Sequence, residues 1–137
     1  MPFQLTIVTP QGPAYEGSVE SVVLPGSEGD FGVLPSHERL LAPLRIGEVE
    51  VRIAGELLYA AIADGFAEVN GEEVVVMVES CEYASDLDVA RAEFARERAE
   101  QGLAALDDAA DEKRVREYEA ALERARNRIA VAQKGQS

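Results

Sequence analysis

Three groups of side chains in this sequence have the types and spacing for recognition chemistry. The first lies in Leu24-Pro25-Gly26-Ser27-Glu28-Gly29-Asp30-Phe31-Gly32-Val33-Leu34-Pro35-Ser36-His37, where Glu28, Asp30 and His37 are the polar groups a loop could present. The second is Leu87-Asp88-Val89-Ala90-Arg91-Ala92, which sets a carboxylate and a guanidinium one helical turn apart. The third is Arg124 with Arg128, also one turn apart, beside an apolar seam. Guanidinium forks so spaced can hold phosphate oxygens. An intrahelical Asp-Arg pair beside two solvated arginines is the alternative reading of the same residues.

Catalytic chemistry has no candidate. Cys81 is the single cysteine and His37 the single histidine, and they fall in segments of different kind, so a Cys/His pair is not expected. A lone cysteine after a strand is more often a small buried hydrophobe. Gly26-Ser27-Glu28-Gly29-Asp30-Phe31-Gly32 is glycine-rich, but its acids would repel a phosphate and no helix is expected to follow it. No repeated metal-ligand spacing is present.

The net charge of −13 opposes binding to a phosphate backbone, and the basic residues of the tail alternate with acids, so no nucleic-acid partner is expected. No apolar run approaches the roughly 20 residues that span a bilayer, so no direct membrane insertion is expected. Met1-Pro2-Phe3-Gln4 lacks the basic start of a secretory signal. These features point to a soluble, cytoplasmic chain. Charge also divides the molecule: of the thirteen strong bases only Arg39, Arg45 and Arg52 precede residue 86, which leaves the first part near −11 and the tail near −2. The boundary falls at Ala84-Ser85, giving expected domains 1–84 and 85–137.

The elements that must position these groups follow from periodicity. Phe3 to Val8 reads as a strand, and Thr9-Pro10-Gln11-Gly12-Pro13 as a turn. Tyr15 to Leu24 is a β-rich run that delivers the chain to the acidic loop, which Phe31, Val33 and Leu34 are expected to root in the core. Glu48 to Ile53 alternates, with Val49, Val51 and Ile53 on the buried face. Leu57–Ile62 and Phe66–Val69 follow, Asn70-Gly71 predicts a type I′ hairpin, and the continuously apolar Val74–Val78 predicts a central strand. Short strands with frequent turns indicate an antiparallel β-sandwich or flattened barrel, taken here as a sandwich, and with the helical tail an α+β protein in two segregated parts. Ser85-Asp86-Leu87-Asp88 has the form of a capping box that starts a helix at Asp86 and carries it to about Leu103. A second helix is expected over about 109–133, after a turn at Leu106-Asp107-Asp108 in which either aspartate could act as the cap. The seams Ala92, Ala95, Ala99, Gly102, Leu106 and Val115, Tyr118, Leu122, Ala125, Ile129, Ala132 predict an antiparallel helical hairpin. Its seams are rich in alanine, each of which removes about three carbons relative to leucine at roughly 0.8 kcal/mol per buried CH₂, so the hairpin should be weakly held.

The glycine-acid-glycine loop, the short apolar strand, Pro35 and His37, continuing to Leu44-Arg45-Ile46-Gly47-Glu48-Val49, resemble the epsilon subunit family of F-type ATP synthases along almost the whole chain. Glu38-Arg39 departs from the Ala-Pro more common there. The resemblance implies a non-catalytic rotor subunit of the central stalk, peripheral on the cytoplasmic side of the bacterial plasma membrane. It would couple proton transport to ATP synthesis and restrain ATP hydrolysis. It implies that the sandwich packs on the gamma subunit and that Glu28, Asp30 and His37 face the membrane c-subunit ring. Leu87-Asp88-Val89-Ala90-Arg91-Ala92 matches the family's Ile/Leu-Asp-x-x-Arg-Ala motif, which implies an ATP site of Glu82, Leu87, Asp88, Arg91, Ala92, Arg98, Arg124 and Arg128. ATP would be a regulatory ligand, and no cofactor is required. In an extended tail Arg114, Arg116, Arg124, Arg126 and Arg128 would form an inhibitory basic face toward the catalytic beta and alpha subunits. A free-standing nucleotide-sensing or protein-binding module is the competing reading.

Overall fold

The computed structural model describes residues 2–35, 38–107 and 109–135, and His37 lies outside them. Ten strands come first: β1 (Phe3–Thr9), β2 (Gly12–Val19), β3 (Ser21–Gly26), β4 (Gly29–Val33), β5 (Leu40–Leu44), β6 (Gly47–Ile53), β7 (Glu56–Ile62), β8 (Gly65–Asn70), β9 (Glu73–Val78) and β10 (Cys81–Tyr83). Their order is β10-β7-β6-β3-β5-β8-β9-β1-β2, with β4 on β3, and β3 meets β5 through the single pair Gly26↔Leu44. That narrow joint lets the sheet fold into two layers. Their inner faces share one core that includes Leu5, Ile7, Val22, Leu24, Val49, Val51, Val69, Val74 and Val76.

Alternation set most of this correctly. Val49 and Val51 are buried while Glu48 and Glu50 are only partly covered, and β9 lies between β8 and β1 as its apolar run predicts. Several expectations are corrected. The Tyr15–Leu24 run is divided at Glu20 between β2 and β3, and the acidic stretch is mostly strand, with β3 and β4 forming a hairpin. Leu34 is 63% exposed instead of rooting the loop, whereas Val33 is buried and Phe31 packs against the core. The β8–β9 connection places only Gly71 at positive φ; the turn with two such residues is Ala54 (φ 51°) and Gly55 (φ 82°), between β6 and β7. β1 and β9 pair in parallel, an exception within the antiparallel sandwich. They are separated by the whole sheet in sequence, so no tight turn dictates their direction.

A 3₁₀ turn, Ala84–Asp86, leads into α1 (Val89–Ala105) and α2 (Glu112–Lys134). α1 thus begins at Val89, not Asp86. Asp88 is its N-cap, with a carboxylate oxygen accepting from the Arg91 amide at 3.1 Å, and the capping box does not form. Ser85 is taken up by the 3₁₀ turn, and Leu87 is extended, so no helical amide faces the serine hydroxyl. The cap of α2 is Asp111, which accepts from Lys113 N, while the Asp107 side chain accepts from Ala109 N inside the connecting turn. The helices pack antiparallel through the small-residue seam, with Ala92, Ala99 and Ala125 buried.

Candidate functional site

Two surfaces carry the residues singled out by sequence. At the β3–β4 tip, Glu28 and Asp30 are both exposed. Asp30 is paired with the Arg45 guanidinium, and Glu28 makes no ion pair among the described residues. Arg45 follows β5 and was not assigned a role by sequence reasoning.

The second surface lies where the hairpin meets the sandwich. β7 is buried on both faces near its end: Ile62 enters the sheet core, while Ala61 faces outward under α2 with Ala84 and Val131. Around this small apolar contact are three polar ties. Asn127 Nδ2 donates to the Gly47 carbonyl at 2.8 Å, Arg128 Nε donates to Glu82 Oε1 at 2.7 Å, and Lys134 Nζ donates to Glu48 Oε2 at 2.8 Å. Lys134 also stands 5.4 Å from the Tyr59 ring centroid. The hydrogen bond to Glu48 is the main cause that holds the Lys134 ammonium above its usual pKa of 10.5, opposed by slight burial. Sequence reasoning missed Asn127, Lys134, Gly47 and Glu48 as a docking set, because no local pattern links residues some eighty positions apart.

Beside the Glu82–Arg128 pair opens a cleft of about 420 Å³ lined by Glu82, Asp86, Leu87, Asp88, Arg91, Ala92, Ala95 and Arg128. Six of the eight residues assigned to the ATP site by resemblance therefore surround one space. Arg124 lines an adjoining small gap with Asn127 and Arg128. Arg98 lies elsewhere: its guanidinium sits 5.9 Å from the Phe94 ring centroid, and it does not line the cleft. Asp86 and Ala95 are wall residues that the motif did not supply. Two guanidinium groups facing three carboxylates suit a ligand with hydrogen-bond donors at one end and anionic oxygens at the other. Glu82 already occupies one face of Arg128, and Asp88 already serves an amide, so an anion would compete with Glu82 for that guanidinium.

The five arginines of the expected basic face are divided by the fold. Arg124 and Arg128 turn toward the sandwich and are half-buried, whereas Arg114, Arg116 and Arg126 are exposed, Arg116 lying 3.8 Å from Glu112. Cys81 on β10 is half-buried, and burial, with a smaller contribution from Glu82, pushes its thiol up to about 11. That thiol is protonated at neutral pH, unlike an activated nucleophile. Among the described residues, no group of three or more His, Cys, Asp or Glu is placed to hold a metal ion, and no helix is long and apolar enough to cross a membrane.

The outer face of the other layer is apolar in a row. Register sets Pro13, Val8, Met77, Phe66 and Pro43 side by side across β2, β1, β9, β8 and β5. Phe66 is 52% and Met77 45% exposed. Such an aligned patch on a sheet face is a candidate contact surface.

A sandwich with an apolar outer row, carrying a helical hairpin docked through polar ties and a small apolar cluster, has the architecture of a subunit of a larger assembly. The family model described as "ATP synthase, Delta/Epsilon chain, beta-sandwich domain" matches residues 2–84, and "ATP synthase, Delta/Epsilon chain, long alpha-helix domain" matches 85–133. The chain is 44% identical over 131 residues to the ATP synthase epsilon chain of Syntrophobacter fumaroxidans, covering 96% of each. It is 40% identical to that of Bacillus pumilus, covering 96% of this chain and 97% of the relative. Among solved structures it is similar to a chain of the Euglena gracilis mitochondrial ATP synthase OSCP/F1/c-ring assembly, with 25% identity, TM-score 0.81 and coverage of 94% and 80%. This chain belongs to the ATP synthase epsilon chain family.

Proposed function

We propose that the chain works as the epsilon-type, non-catalytic rotor subunit of an F-type ATP synthase, with the sandwich as its attachment and the hairpin as its regulatory arm. The apolar row from Pro13 to Pro43 supports packing on a gamma subunit, and the exposed Glu28 and Asp30 support contact with the polar loops of a c-subunit ring. His37 belongs to the same assignment and lies outside the described residues. In this role the protein sits peripherally on the cytoplasmic side of a bacterial membrane.

The observation that carries the regulatory reading is the sparse interface of α2 with the sandwich: three polar ties around Ala61, Ala84 and Val131. The apolar cluster there, with Tyr59 and Leu87 packed against it, is built on two alanines and a valine, and side chains that small contribute little hydrophobic free energy to docking. An extended arm carries Arg114, Arg116, Arg124, Arg126 and Arg128 toward acidic surfaces of the alpha and beta subunits and slows ATP hydrolysis. ATP in the cleft beside Glu82 favours the compact form, because a ligand shifts an equilibrium by its differential affinity for the two states. Arg91 and Arg128 meet the phosphates, Arg124 joins them by a small shift, and Glu82 and Asp88 orient the arginines or accept from adenine. Arg98 contributes only if it leaves Phe94.

Calorimetric titration of the isolated chain with ATP tests this. Binding should weaken in Arg91→Ala and Arg124→Ala and vanish in a chain ending at Leu106. No heat at millimolar ATP, or equal binding by the one-helix chain, returns these residues to ordinary ion pairing.

A further inference from the structure

Asp30 is spoken for inside the chain, and this changes what the acidic tip can present. The tip end of the β3–β4 hairpin is joined to the end of β5 by two backbone hydrogen bonds, Ser27 N to Pro43 O at 3.0 Å and Arg45 N to Pro25 O at 2.9 Å. At this tip the side chains of Ser27, Glu28 and Asp30 are exposed, and among the described residues the side-chain tie from the tip to a neighbouring strand is the Arg45–Asp30 ion pair. The Arg45 side chain lies over Gly47, where an added Cβ would stand 2.8 Å from Arg45 Nη1 and 2.6 Å from Pro25 Cβ. The glycine therefore clears the path by which the guanidinium crosses from β5 to the hairpin. That same Nη1 donates to the Ile46 carbonyl at 3.3 Å, while Nη2 donates to Asp30, so the guanidinium is held at both nitrogens.

We propose that Arg45 is the positioning residue of the acidic tip: it takes up Asp30 and fixes the hairpin, leaving Glu28 as the carboxylate offered to a partner surface rich in hydrogen-bond donors. The proposal rests on the reading that this tip faces a membrane ring, and it divides the acidic pair into an internal strut and an external contact. Two equally free carboxylates would each lose binding when neutralised. A strut and a contact differ, because the strut's charge can be exchanged with that of its partner while the contact's cannot.

The test uses the assembled ATP synthase for coupling, read as proton pumping per ATP hydrolysed, and the full-length isolated chain for amide hydrogen exchange at residues 27–30. Arg45→Ala and Asp30→Asn should each speed exchange at the tip by about 2- to 5-fold, the range an exposed ion pair supports, and leave the sheet core unchanged. Both should lower coupling by a similar factor. The charge exchange, Arg45→Asp with Asp30→Arg, should restore exchange and coupling together. Glu28→Gln should lower coupling with no change in exchange. Unaltered exchange in Arg45→Ala overturns the proposal. So does a charge-exchanged chain that regains slow exchange but not coupling, since Asp30 would then be a direct contact. Faster exchange in Arg45→Ala with full coupling in that variant and in Glu28→Gln overturns the reading that the tip meets the ring and supports the hold of Arg45 on the tip.

Discussion

At the scale of single residues, backbone conformation and close approach decide more than side-chain type suggests. Ala54 occupies a left-handed conformation, φ 51°, where an L-residue with a Cβ is strained and asparagine is tolerated far better. Ala54→Asn should therefore stabilise the sandwich by about 0.5–1 kcal/mol, seen as a higher midpoint in urea with an unchanged slope. Gly102 shows the opposite constraint. A Cβ there would fall 2.2 Å from Tyr118 Cε1, so the close crossing of α1 and α2 requires a residue with no side chain. Gly102→Ala should favour helix formation by roughly 1 kcal/mol yet cost about 1–3 kcal/mol in overpacking, so the helices splay. A distance measurement between labels on the two helices should lengthen, and adding Tyr118→Ala should shorten it again.

At the scale of elements, α2 is held to the sandwich chiefly by hydrogen bonds with charged partners, which makes its docking responsive to pH and salt. The Lys134 ammonium titrates above its ordinary value because Glu48 accepts its hydrogen bond. A group protonated more readily in the docked state than when free contributes stability that is complete below its free value of 10.5 and is lost as pH rises through the docked value. Docking should thus weaken in the alkaline range above 10.5 and not near neutrality, and Lys134→Met should remove that dependence while leaving the sheet intact. Hydrogen exchange at α2 amides across this pH range, corrected for intrinsic rates, checks it. A dependence that survives Lys134→Met would place its origin elsewhere on the interface.

At the scale of the whole molecule, the two parts have unequal claims to independence. The sandwich encloses its own core of large aliphatic side chains, whereas the hairpin buries chiefly alanine and reaches the sandwich through Ala61, Ala84, Val131, Tyr59 and Leu87. A chain ending at Ala84 should remain folded with a cooperative transition, since few core contacts cross the cut. Placed in the synthase, it should still assemble and couple, and should hydrolyse ATP faster than the full chain. Loss of assembly would refute the attachment role of the sandwich, and unchanged hydrolysis over a range of salt would refute inhibition by the arm.

What the sequence determined by itself is local and periodic. The alternation Val49, Val51, Ile53 set a half-buried strand, the small-residue seams set a hairpin, and Leu87-Asp88-Val89-Ala90-Arg91-Ala92 marked one wall of a cleft. Neighbouring residues share backbone geometry, so these patterns survive without knowledge of the rest of the chain. Tertiary structure alone decided which polar groups would meet. Asn127 with Gly47, Lys134 with Glu48, Arg128 with Glu82 and Arg45 with Asp30 come together across 80, 86, 46 and 15 positions, and Arg98 is drawn off to Phe94. It also moved the start of α1 to Val89: Ala84–Asp86 forms a 3₁₀ turn whose Ala84 packs with Val131 of α2, Leu87 is extended, and Asp88 caps the helix that follows. A charged side chain has several partners within reach of its sequence, and only the packed layers fix which one lies within 3 Å.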